Sequence, residues 1–194
     1  MTWLVVGLGL FLGVHSSRVF AEAARGRFIA QRGEMAWKGV YSVVSLVGLV
    51  LIVVGYGAAR SGDPVFLWSP PVAMRHVAAL LTLLAFVLLA AAYVPRNAIK
   101  AKLHHPMVLG VKTWAFAHLV SNQFLHDVLL FGGFLVWAVL SFRAARQRDR
   151  AAGTVYPAGT MAGTVAVVVI GLMAWAVVAF WAHGVLFGVR PFGR

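Results

Sequence analysis

Six long apolar blocks constrain this chain more than any other feature. They run from Thr2 to Ala21, Gly39 to Ala59, Ala73 to Val94, Met107 to Ser121, Val128 to Phe142 and Met161 to Leu186. A helix needs about 20 apolar residues to cross a hydrocarbon core of about 30 Å. In lipid, every backbone polar group must be paired within the segment itself, which open strands cannot do. The blocks therefore predict an all-α, polytopic transmembrane bundle of about six helices, organised as a single integral-membrane domain over residues 1–194. The fourth and fifth blocks are separated only by SNQFLHD, which implies a tight helical hairpin.

Composition agrees with this expectation. Of the residues, 61% are hydrophobic and 11% charged, against about 25% charged in soluble domains. The net charge of +12 would suit a nucleic-acid binder if it formed one face. Instead the basic residues lie between the apolar blocks, where orientation signals belong. Arg18, Arg25, Arg27, Arg32 and Lys38 follow the first block, and Arg96, Lys100, Lys102 and Lys112 surround the start of the fourth. Arg143, Arg146, Arg148 and Arg150 follow the fifth. The alternate connections hold only Arg60 and Arg75, with Arg190 and Arg194 in the tail. The rule that basic loops stay inside places these clusters in the cytoplasm and both termini on the other side. The setting expected is a bacterial inner membrane, with the bilayer as principal partner and no nucleic acid.

The N-terminal block has neither a basic leader nor a small-residue cleavage site, and is read as a retained helix. Cysteine is absent, which excludes disulfides, thiolate metal sites and cysteine nucleophiles. The acids are five, Glu22, Glu34, Asp63, Asp127 and Asp149. All are expected in connecting segments, so paired carboxylates for general acid–base hydrolysis are missing. A phosphate-cradling glycine loop and an HExxH motif are missing as well.

Histidine remains, at seven positions. His15 and His118 are expected farthest from water, and intramembrane ionisable residues usually face a bundle interior. Two readings stand for each. The imidazole can hydrogen-bond across to another helix, or two imidazoles on helices of opposite direction can ligate one b-type haem. At 1.5 Å per residue the two lie at depths within roughly 10 Å of each other. Trp114 and Asn122 share the helical face of His118. His104 and His105 precede Pro106, a residue suited to a first helical turn, and can titrate near neutral pH. His76, His126 and His183 are expected near the outer surface as interfacial polar residues. Two glycine pairs at GxxxG spacing, Gly9 with Gly13 and Gly184 with Gly188, offer surfaces for close helix approach.

The runs VHSSRVF from Val14 to Phe20, HPMVLG from His105 to Gly110, WAFAHL from Trp114 to Leu119, and the following SNQ…LLFGGFLVWA resemble the NnrU family over nearly the whole chain. That family is associated with denitrification and nitric oxide metabolism. It is similar to the plastid 15-cis-zeta-carotene isomerases, haem b proteins that isomerise a polyene double bond. The resemblance implies haem b as cofactor, with His15 and His118 as metal ligands and His105, the histidine of the HP run, as a cofactor-binding residue that supports the site or handles protons near its cytoplasmic side. Trp114 is taken as a further cofactor-binding residue. Any ligand exchange through a thiolate, as proposed for the plant enzymes, is impossible in a chain without cysteine. The functions that follow are a redox or isomerising haem protein, or a non-catalytic accessory to a nitrogen-oxide reductase. A membrane methyltransferase using the Arg-rich segments is a further class. A transporter is disfavoured, because neither interrupted helices nor paired midplane charges are evident.

Overall fold

The computed structural model describes residues 1–192, and Arg194 of the tail lies outside them. Among the described residues the regular structure is helical: α1 (Thr2–His15), α2 (Ser17–Phe20), α3 (Glu22–Arg32), α4 (Glu34–Ser61), α5 (Ala73–Tyr93), α6 (Ala98–Leu103), α7 (Pro106–Ser121), α8 (Leu125–Ala152), α9 (Met161–Val177), a π-helical stretch Val178–Ala182, and α10 (His183–Phe187). Four of these runs are long and apolar enough to cross a membrane: α4, α5, α8 and the continuous run Met161–Phe187. The six blocks each fall on a helix, but two are short. The first ends at His15 after 14 residues, and the fourth has 16. The first block stops early because the polar HSSR sequence turns the chain: Ser16 sits at φ −87° and ψ 1°, and Ala21 at φ −134°. The fifth is longer than its apolar part, since the arginine-rich RAARQRDRAA continues the helix to Ala152.

The chain divides into two compact units. The first comprises residues 1–69 and 122–144, the second residues 70–121 and 145–194. In the first unit α1 packs on α4 around Leu4, Leu8 and Ile52, joined by Phe11, Leu12, Tyr56, Leu129, Leu130 and Phe134. The two backbones approach so closely because three glycines face the seam. A methyl on Gly7 would lie 2.6 Å from the Ile52 amide nitrogen, and one on Gly48 would lie 2.7 Å from that of Phe11. One on Gly55 would fall on the backbone of Leu4. Gly9 and Gly13 instead face open space, with nothing within 4 Å of an added Cβ. The GxxxG pair is therefore not the seam, whose glycines on α4 recur every seven residues to keep one face. The outer side of α4 leaves Val43, Leu46, Val50, Val53 and Val54 exposed, as a lipid-facing surface requires. Residues 65–67 pair with 123–125: the Leu67 amide donates to the Gln123 carbonyl and the Leu125 amide to that of Val65, both at 2.9 Å.

In the second unit α5 packs against both α7 and α9. Gly110 of α7 sits under the Leu89 side chain and the Ala85 carbonyl, and Gly171 of α9 meets Val87. Trp175 donates its indole N–H to Thr82 Oγ1 at 3.1 Å, tying α9 to α5. Asn97, 1% exposed, closes one helix and opens the next. Its side-chain amide donates to the carbonyls of Ala91 and Val94, and its Oδ1 accepts from the Lys100 amide. Thr160 caps α9 by accepting from the Gly163 amide at 3.1 Å.

Candidate functional site

His15 is the last residue of α1, where the turn at Ser16 leaves its ring against neighbouring helices of the first unit. Its Nδ1 lies 2.7 Å from the Phe11 carbonyl, one turn back. A carbonyl oxygen only accepts, so Nδ1 carries the proton, and in the neutral ring the lone pair is on Nε2. The imidazole stacks on Phe11 with centroids 4.1 Å apart. Tyr41 of α4 is 5.0 Å away and Trp137 of α8 stands nearly perpendicular at 6.1 Å. Three helices thus fix the orientation of one ring.

His118 belongs to the second unit and repeats this arrangement on α7. Its Nδ1 donates to the Trp114 carbonyl at 2.8 Å, which again assigns the neutral lone pair to Nε2. The Trp114 ring is 5.1 Å from the imidazole. Trp114 therefore meets His118 through both its backbone and its side chain. Histidines that ligate a metal commonly donate their other ring N–H to a carbonyl or carboxylate, which fixes tautomer and orientation. On that observation both residues fit an imidazole–iron bond through Nε2. Among the described residues no three or more His, Cys, Asp or Glu side chains are grouped so that they could hold a metal ion.

His105 is drawn into a different cluster, in the second unit at the polar end of α8. Its Nε2 lies 2.8 Å from Asp149 Oδ2, and the same oxygen accepts from the Tyr156 hydroxyl at 3.0 Å. His104 stacks flat on Tyr156, with centroids 4.2 Å apart and planes at 9°, and contacts Arg146. The left-handed φ of 67° at His104 turns the chain so that consecutive histidines reach the same carboxylate. Burial raises the Tyr156 hydroxyl above the usual tyrosine pKa, and its bond to Asp149 adds to this. Asp149 and Tyr156 are absent from the sequence reading of the site. The one available signal was Asp149 itself, the single acid among Arg146, Arg148 and Arg150.

A third group lies in the first unit, in the first turn of α8. Tyr56 donates to Asp127 Oδ1 at 2.6 Å, and Asp127 Oδ2 accepts the Phe124 amide at 3.1 Å. His126 Nε2 is 3.5 Å from Asp127 Oδ1, and its ring stacks on Phe124 at 5.4 Å. Asp127 is 4% exposed and His126 1%. The expectation that both sit in the connection before this helix is thereby corrected: they belong to its first turn. The paired residues 65–67 and 123–125 fold the connection back, so α8 begins two residues before Asp127 and takes both side chains inward. His126 Nδ1 is buried without a hydrogen-bond partner. His183 is tied locally, its Nδ1 donating to the Val189 carbonyl at 2.7 Å.

No curated protein and no solved structure matches the chain. A family model described as NnrU protein matches residues 3–191, nearly the whole chain and all seven of its histidines. The chain, a membrane protein with several apolar helices, belongs to the NnrU family.

Proposed function

We propose that this NnrU-family protein holds a b-type haem by imidazole ligation, with His15 and His118 as the ligand candidates. The observation that carries this reading is their shared geometry: each donates Nδ1–H to the carbonyl four residues earlier, at 2.7 and 2.8 Å. A neutral histidine so arranged presents Nε2 to a metal without a change of tautomer. Bound, the haem would supply a redox-active or Lewis-acidic iron, which serves nitric oxide handling or isomerisation of a double bond. The chain's own contribution is orientation and exclusion of water. Phe11, Tyr41 and Trp137 enclose the His15 ring, and Trp114 covers that of His118.

The His105–Asp149–Tyr156 cluster at the basic end of α8, in which one carboxylate oxygen meets both the imidazole and the hydroxyl, supports a proton-handling role there. The basic segments support a reading in which this end faces the cytoplasm at a bacterial inner membrane and meets a nitrogen-oxide reductase or another redox protein.

The test is an optical spectrum of detergent-purified protein, oxidised and dithionite-reduced, for wild type, His15→Ala and His118→Ala. A Soret band with sharp reduced α and β bands, lost or shifted in the variants, is expected. Absence of any Soret band after expression with ample haem overturns the cofactor reading and leaves a membrane accessory protein for nitrogen-oxide reduction.

A further inference from the structure

The end of the last spanning run is built unlike the other helices. The Met161–Phe187 run has 27 residues, about 40 Å at 1.5 Å per residue, against a hydrocarbon core of about 30 Å. Its final turns contain the π-helical stretch Val178–Ala182. Such wider turns within α-helices occur often at functional sites. Helix α10 then stops at Gly188, whose φ of 67° suits glycine. The chain folds back as a hook. His183 holds it by donating to the Val189 carbonyl, and Phe192 stacks on Phe180 at 5.1 Å and meets Trp175 at 5.8 Å.

Hook and helix enclose a half-open cleft of about 590 Å³, whose walls include Phe180, Trp181, Val185, Arg190 and Phe192. Arg190 crosses the face of Gly184, where an added Cβ would lie 3.1 Å from Arg190 Cγ. Gly184 thus serves as the bed for this side chain and not as a helix–helix contact, which corrects the reading of the Gly184 and Gly188 pair. Phe180, Trp181 and Val185 are 67%, 65% and 66% exposed. On a helix that crosses a bilayer, such residues face lipid. Tryptophan and arginine together at the end of a spanning helix mark headgroup depth. Among the described residues Arg190 is the only charged wall of the cleft, and no acidic side chain pairs with it.

We propose that this cleft binds one phospholipid with a net-negative headgroup. The Arg190 guanidinium donates to the phosphate oxygens, a geometry its planar fork matches, and an acyl chain lies along Phe180 and Val185. A zwitterionic lipid offers the same phosphate with an ammonium beside it, so the site favours the anionic class. The proposal rests on the chain's being a membrane protein and is independent of any haem.

The test uses the full-length protein in vesicles of equimolar phosphatidylcholine and phosphatidylglycerol, with the lipid retained after detergent extraction counted by native mass spectrometry. Wild type is expected to retain phosphatidylglycerol over phosphatidylcholine. Arg190→Gln, at an exposed position, should lower that preference about fivefold, the scale of one basic residue acting on an anionic lipid surface. Gly184→Leu, which fills the bed of Arg190 but keeps the charge, should lower it as well, whereas Arg75→Gln should not. Equal phosphatidylglycerol retention by wild type and Arg190→Gln overturns the proposal, whatever the folded yield of Gly184→Leu. So does an equal loss in Arg75→Gln, which would show that the protein's overall charge selects the lipid.

Discussion

Tyr56, in α4, donates its hydroxyl to Asp127 of α8 at 2.6 Å, joining residues 71 positions apart inside the first unit. The carboxylate accepts a second bond from the Phe124 amide. A hydrogen bond to a buried charged group contributes about 1.5–3 kcal/mol. Tyr56→Phe keeps the ring against His126 and removes only that bond, so it should destabilise the protein by about 2 kcal/mol. Reversible unfolding in mixed micelles measures it, and a change below about 0.5 kcal/mol, as for ordinary surface substitutions, would mean that Asp127 is satisfied without Tyr56.

The seam between α1 and α4 makes a contrast among glycines. Gly55→Ala drives a methyl into the backbone of Leu4, and an overpacked contact against backbone should cost about 3 kcal/mol. Gly9→Ala meets nothing and should be neutral or slightly stabilising, since alanine is the better helix former. Monodisperse yield and thermal stability in detergent compare the two. Equal tolerance of both would refute the close approach of these helices.

At Trp114 backbone and side chain act separately. The bond that sets the tautomer of His118 comes from the Trp114 carbonyl, which Trp114→Leu leaves in place. If the haem reading holds, this variant should keep its Soret band with a changed environment, whereas His118→Ala should lose or shift the Soret, α and β bands. Complete loss of haem in Trp114→Leu would assign the binding to the indole ring instead.

Tyr156 gives a pH dependence of defined sign. Its folded pKa lies above the ordinary tyrosine value, about 10 in the unfolded chain. The folded state therefore holds this proton more tightly. The stabilisation is fully present below about pH 10 and is lost as pH rises through the folded value. Tyr156→Phe should remove that alkaline loss while leaving acid behaviour unchanged, as an unfolding series from neutral to strongly alkaline pH would record. An identical alkaline limb in the variant would exclude Tyr156 as its source.

Much of this protein is legible without coordinates because the bilayer imposes a local rule. Apolar runs of spanning length must become helices, and the basic segments between them show in the sequence directly. The motifs around His15, His105 and His118 likewise carry the family. Tertiary structure decided what depends on partners far along the chain. Asp127 and His126 look like connection residues until the pairing of Val65 and Leu67 with Gln123 and Leu125 brings the first turn of α8 inward. Asp149 looks like one charge in a basic tail until the reversed backbone at His104 sets His105 on it, 44 residues away. Glycine spacing pointed to Gly9 and Gly13, whereas Gly7, Gly48 and Gly55 make the seam. Spacing specifies which residues share a face, but only the packing of a second helix determines which face is used.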